Sequence, residues 1–218
     1  MRHARGEVSS AIRKTPVEGA LTLGMLGLVS DEQADLHVHG GIDKALCVYP
    51  REHVAWWASE LGIELLPGGA GENISSFGLV ESDVVIGDVY RIGPMSGEAV
   101  GPLVQVSQPR QPCYKLAARH GNPDIALMVQ ETGTTGFYLR CMKTGELRRG
   151  DPIVLVDRPV HGVTIAEANH VMHHDRHDTK GLRRLLDVPD LANVWRTTFE
   201  RRLAGELENI SLRIEPPN

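Results

Sequence analysis

Between residues 6 and 160 the chain reads as a succession of short β segments, each closed off by glycine or proline. Many short strands separated by turn residues are the pattern of sandwiches and barrels, and this rhythm predicts a closed or barrel-like β arrangement. DVVIGDVYRIG shows it best: Val85, Val89 and Ile92 occupy strand positions, and Gly87-Asp88 interrupts the run as a bulge or tight turn would. FYLRCMKTGELRRGDPIVLV reads as a hairpin, with Phe137 to Met142 as its first arm and residues 143–146 as its turn. Helices are few here. One is expected to start near Pro50, with Val54, Trp57 and Leu61 on one face, and another to follow Cys113 and stop at Gly121.

After Pro159 the texture changes. Thr164 and Glu167 are spaced as a capping box ahead of an apolar stripe at Ile165, Ala168 and Met172. A second helix is expected over TKGLRRLLD, and a third from near Pro189, with Leu191, Val194, Trp195, Phe199 and Leu203 at helical spacing. The fold class expected is therefore mainly β with some α. A β-barrel unit spans residues 1–160 and a small three-helix unit spans 161–218.

Charge narrows the range of functions. The net charge is −5, so no long-range attraction to nucleic acid or acidic lipid is expected. The arginines of the last 58 residues do not change this, because residues 161–218 hold 8 Lys and Arg against 9 Asp and Glu. No apolar run reaches the roughly 18 residues of a membrane helix, and MRHARGEVSSAIRK lacks the apolar middle of a secretion signal. A cytoplasmic location is expected. Three cysteines, Cys47, Cys113 and Cys141, never arranged as C-x-x-C, then argue against a disulfide framework.

Cys113 is the residue with the most chemistry around it. It follows two prolines that stiffen the approach, Pro109 and Pro112, and opens a helix whose free N–H groups, with Arg110 and Lys115, favour the ionised thiol. Such a sulfur is a soft ligand or a nucleophile. A buried apolar cysteine is the alternative, and the local sequence leaves both open. Cys47 and Cys141, inside β runs, read as core residues. In HVHGGIDK, His37 and His39 share a strand face, Gly40-Gly41 lets backbone approach a ligand, and Lys44 adds a charge for a phosphate. PGGAGENI is a glycine-rich loop without the spacing of a nucleotide fingerprint. HHDRHD, residues 173–178, reads as a solvated helix end.

Taken in order, GLVSDEQADLHVHGGIDKALCVYP, PGGAGENISSFGL, VIGD, VSQPRQPCYKL and GFYLRCMKTGELRRGD closely resemble the MOSC family, named for the C-terminal domain of molybdenum cofactor sulfurase. The resemblance covers roughly residues 6–160, and the helical tail is similar to that of the YiiM subgroup. One departure is Ser30, where such proteins usually have glycine. The resemblance implies a MOSC-type β-barrel binding a molybdenum cofactor (Mo-molybdopterin), with Cys113 as metal ligand and catalytic residue. His39, Gly40, Gly41, Lys44, Asn73, Arg110 and Arg140 would then hold the pterin and its phosphate. For the subgroup it implies reduction of N-hydroxylated compounds, such as hydroxylaminopurines, to amines. Without a nucleotide fingerprint or clustered cysteines, a separate reductase or electron carrier is expected as partner. The amphipathic helical tail adds a homodimer to the expected partners. Two rival readings stand beside this one: a cofactor or sulfur carrier without redox turnover, and a cysteine hydrolase pairing Cys113 with His39 or His120.

Overall fold

The structure is a computed structural model that describes residues 2–3, 6–7, 11–31, 40–95 and 100–215. Its strands are β1 (Arg2–His3), β2 (Gly6–Glu7), β3 (Ala20–Gly24), β4 (Gly27–Leu28), β5 (Leu46–Pro50), β6 (Ile74–Ser76), β7 (Val89–Ile92), β8 (Leu103–Pro109), β9 (Phe137–Lys143), β10 (Gly145–Arg148) and β11 (Ile153–Asp157). Its helices are α1 (Val54–Leu61), α2 (Tyr114–His120), α3 (Ile125–Thr132), α4 (Ile165–His173), α5 (Thr179–Leu186), α6 (Asn193–Leu203) and α7 (Ser211–Ile214).

One mixed sheet has the order β11-β7-β8-β9-β5-β6, antiparallel except for the β5–β6 pair, and a second has the order β10-β3-β4. β9 runs into β10 through the single residue Thr144, so the chain turns a corner from the first sheet into the second. The result is a half-barrel, in keeping with the barrel-like arrangement expected. The hairpin expected over residues 137–157 does not form: β9 pairs with β8 and β5, β10 with β3, and β11 with β7. β9 lies between β8 and β5 with both hydrogen-bonding edges taken, and buries Phe137, Leu139 and Cys141 on its core face, so the chain that follows must find other partners. The break at Gly87 is real: its φ is 93°, and fully buried Asp88 accepts bonds from Val85 N at 2.9 Å and the Tyr90 hydroxyl at 3.0 Å before β7 begins.

Two clusters of buried side chains organise the molecule. The larger runs from Leu46, Val106 and Leu139 on the sheet to Ile165, Leu182, Trp195 and Phe199 on α4–α6, so the helices pack onto the half-barrel through a common core. The smaller joins Tyr49, Trp57, Leu65, Leu116, Ile125 and Val129 beneath α2 and α3. Each fully buried large apolar side chain contributes about 1.5–3 kcal/mol, and it is this cluster that seats α2. Thr164 caps α4 as expected, accepting from Glu167 N at 3.1 Å. The Glu167 carboxylate turns instead to Arg184 at 2.5 Å. Helix α6 starts later than expected, because Leu191 and Ala192 are buried in the link before it and Ala192 N donates to the Ser107 carbonyl at 3.0 Å. Helix α3 and the short α7 lie outside the sequence expectations. Among the described residues, no helix is long and apolar enough to cross a membrane.

The segment after α6 is held by charge. Arg202, 6% exposed, donates to the carbonyls of Val171 (3.1 Å) and Met172 (2.8 Å) and pairs with Glu208, which also meets Arg176 at 3.2 Å. Beside them, burial first and then the charges of Arg213 and Arg202 push the His173 imidazole down to about 3. Burial would raise Glu208, yet the Arg202 hydrogen bond and charge hold its carboxyl below the usual range. Both shifts act in one direction. The unfolded chain takes up protons that the folded chain refuses, so stability falls as pH drops below about 6.5, and His173 alone costs about 2 kcal/mol by pH 5. Urea titrations at the two pH values check this, and His173→Leu is expected to flatten the fall.

Candidate functional site

Cys113 sits where β8 has ended and α2 begins, in extended backbone (φ −134°, ψ 169°), and is 8% exposed. Its carbonyl accepts Leu116 N at 2.9 Å, and Lys115 beside it is buried. Helix α2 has only seven residues, so the field of a helix start counts for little; the charge near the sulfur comes from side chains. Arg110 and Arg213 are two of them. Burial would lower the Arg110 guanidinium, yet facing Cys47, Tyr138 and Cys113, groups that are negative when ionised, holds it above its ordinary value.

The floor of this site is a row of side chains across neighbouring strands. Gln108 of β8 and Cys47 of β5 are both register partners of Tyr138 on β9, and partners directly opposite one another stand on the same face. The row extends to Asn73, which accepts from Cys47 N at 2.9 Å through Oδ1 and donates to the Asp31 carboxylate at 2.8 Å through Nδ2. Lys14 pairs with the same carboxylate oxygen. Lys44, in the turn Ile42–Lys44, lies 5.8 Å from the centre of the Tyr138 ring. Gly41 opens that turn at φ 100°, and its Lys44 N–H to Gly41 carbonyl bond of 3.0 Å closes it. Burial raises the Tyr138 phenol and the Cys47 thiol alike, with Arg110 opposing both, so each stays protonated at neutral pH.

Arg110 Nη1 and Gln108 Oε1 are buried and have no hydrogen-bond partner among the described residues. A buried donor and a buried acceptor left open on one face make a place for a ligand. Of the expected residues, Lys44, Arg110 and Cys113 lie around Tyr138, Asn73 reaches it through Cys47, and Gly40 and Gly41 precede the turn that carries Lys44. His39 lies outside the described residues, as does His37. Arg140 is two residues from Tyr138 on β9, but its guanidinium is engaged by Asp43 at 2.9 Å, Gln105 at 3.2 Å and the Asp190 carbonyl at 2.8 Å. It ties the turn Ile42–Lys44 to the helical unit.

Ser30 fits the described part of its loop, up to Asp31, without strain. No described non-glycine residue has positive φ, and Asp31 N still reaches the Leu28 carbonyl at 3.0 Å. His120 stands at the far end of α2 from Cys113, its Nε2 2.8 Å from the Gly69 carbonyl and its ring 5.2 Å from that of Trp57. It is therefore not placed to act as the base of a cysteine hydrolase. In HHDRHD, His174 stacks on His170 while His173 meets Trp195, and among the described residues no three His, Cys, Asp or Glu side chains group to hold a metal ion. A groove of about 530 Å³ between His161, Lys180, Arg183 and Asp187 lies on the helical unit and shares no residue with the site.

Three participants have no local sequence signal. Tyr138 and Gln108 are identified only by strand register. Arg213 arrives from α7 and donates to the Pro112 carbonyl and to Gln130 Oε1, so the last helix grips the loop that carries Cys113.

Comparison with known proteins adds to this geometry. Residues 35–154 match the MOSC domain family, and residues 163–206 match the YiiM-like, 3-alpha helix domain. The chain is similar to Protein YiiM of Escherichia coli strain K12, 45% identical over 94% of this chain and 90% of that one. The crystal structure of YiiM from Geobacillus stearothermophilus superposes with a TM-score of 0.77 at 39% identity, covering 88% of this chain and 89% of that one. A fungal protein named Reductase, from Gibberella moniliformis, is 36% identical over 71% of this chain, a match that occupies 27% of the fungal protein.

Proposed function

The chain belongs to the MOSC family and carries a YiiM-like three-helix domain, and from that premise we propose that it binds a molybdenum cofactor through Cys113 and reduces N-hydroxylated small molecules to amines. The observation that carries the reading is the open Nη1 of Arg110, a buried cation that acts on Cys113 and has a donor unspent. The residues fit the group. A single thiol suits a soft metal centre that brings its remaining sulfur ligands with it, and Lys44 is a cation for an anionic pterin phosphate. Pro109, Pro112 and Arg213 restrain the loop so that the sulfur keeps its position. Tyr138 and Asn73 supply a polar floor, and the mostly buried setting limits water around the reacting groups.

When bound, the cofactor supplies the two-electron chemistry in which the N–O bond of R–NHOH breaks, two electrons and two protons are consumed, and R–NH2 and water leave. The electrons come from outside this polypeptide, from a reductase or carrier protein. Two observations support that partner: the sequence holds neither a nucleotide fingerprint nor clustered cysteines, and most of the fungal Reductase lies outside its match to this chain.

Elemental analysis of protein purified from a cofactor-producing host tests the reading. The parent is expected to carry molybdenum and Cys113→Ser to lose at least about nine-tenths of it, since changes even to groups that only support a metal ligand cost about tenfold or more in affinity. Equal metal in both proteins would remove Cys113 as ligand. Metal that depends on Cys113, but no amine from an N-hydroxy compound with a chemical reductant present, would favour the carrier reading.

A further inference from the structure

The register of β8 contains an irregularity that aims one side chain. Val106 partners Leu139 and faces the core, and strict alternation would send Gln108 to the core as well. The pairing instead shifts between Val106 and Gln108, with Ser107 as the extra residue, so that Gln108 partners Tyr138 and faces the site. Ser107 secures the bulge: its hydroxyl is 2.6 Å from the Asp43 carbonyl and 3.1 Å from that of Tyr138.

Gln108 is 2% exposed, and its Nε2 donates to the Pro109 carbonyl at 3.2 Å. That bond sets the amide's orientation, because turning it over would oppose two carbonyl oxygens. The group left without a partner among the described residues is therefore the oxygen, an acceptor. Two residues on, Arg110 Nη1 is an unpaired donor. A buried acceptor without a partner costs stability, so a ligand that brings an N–H is the chemistry this position calls for.

Resting on the cofactor reading above, we infer that Gln108 accepts a hydrogen bond from a ring N–H of the bound pterin, while Arg110 donates to an acceptor of the same ligand. Gln108 is thus a ligand-recognition residue. A pterin carries both kinds of group on its fused rings, and a bare oxyanion, which has no donor, would leave Gln108 unpaired.

The test compares the parent, Gln108→Met and Gln108→Glu, each purified from a cofactor-producing host and from a host unable to make the cofactor. Pterin per polypeptide is read by fluorescence after oxidative release, and thermal unfolding is read on the cofactor-free proteins. Gln108→Met is expected to hold about tenfold less pterin, the effect of one lost hydrogen bond, while its cofactor-free form melts no lower than the parent. Gln108→Glu keeps an acceptor but loses the donor to the Pro109 carbonyl, and is expected to hold less pterin than the parent and more than Gln108→Met. Parent-like pterin in Gln108→Met overturns the inference alone. Loss of pterin in both variants, with lower melting of both, assigns a packing role and overturns it too. A parent without any pterin overturns the cofactor reading and this inference with it.

Discussion

Gly136→Ala is expected to lower the unfolding free energy by about 3 kcal/mol and to displace Arg110. Gly136 has φ 70°, and a Cβ built there would meet the Val48 carbonyl oxygen at 2.3 Å. That oxygen belongs to a mid-sheet strand and has nowhere to go. The residue is also bonded on both sides: its N–H donates to the Glu81 carboxylate at 2.7 Å, and its carbonyl accepts Arg110 N at 3.0 Å. Any shift that relieves the clash therefore pulls on the backbone of Arg110. Gly121→Ala isolates the clash from the backbone strain, since Gly121 has the same φ of 70° and nothing within 4 Å of a Cβ. It is expected to cost about 1 kcal/mol. Urea unfolding of the two variants checks the difference, and equal losses would show that the Val48 contact relaxes without cost.

Arg202→Ala is expected to destabilise by about 3–5 kcal/mol, the range for breaking a buried ion pair. The guanidinium is almost fully enclosed, and it satisfies two main-chain carbonyls at the end of α4 together with Glu208. Removing it leaves those carbonyls buried and unpaired and strands the carboxylate with Arg176 alone. The neighbouring Arg201–Glu206 pair, at 3.1 Å with both side chains 61% exposed, is the control. Arg201→Ala is expected to cost under about 1 kcal/mol. Thermal unfolding separates the two, and similar losses would remove the special role of Arg202. The consequence reaches the site, because Glu208 anchors the segment from which Arg213 grips the Cys113 loop.

The legible parts of this protein are those in which residues close in sequence act together. Thr164 capping α4, Gly121 ending α2, the break at Gly87 and the prolines before Cys113 are all local, and each is found where the sequence puts it. The hairpin expected after Phe137 failed for the opposite reason. Turn residues and apolar alternation specify a strand and a corner, but which strand lies alongside is decided by the distant strands β8 and β5, which take both edges of β9. Cys47, read as a core residue, is buried yet faces Arg110 and Tyr138, a distinction that alternation within KALCVYP cannot make.

By itself the sequence determined the barrel-like β class, the appended helices and the thiol on a stiff loop, because short-range sterics and ordered motifs suffice for those. Tertiary structure alone decided which side chains share the site. Strand side chains alternate with a period of two, so one extra residue at Ser107 moves Gln108 from the core to the face of Tyr138. The contact from Arg213 spans a hundred residues, and no local pattern can encode it.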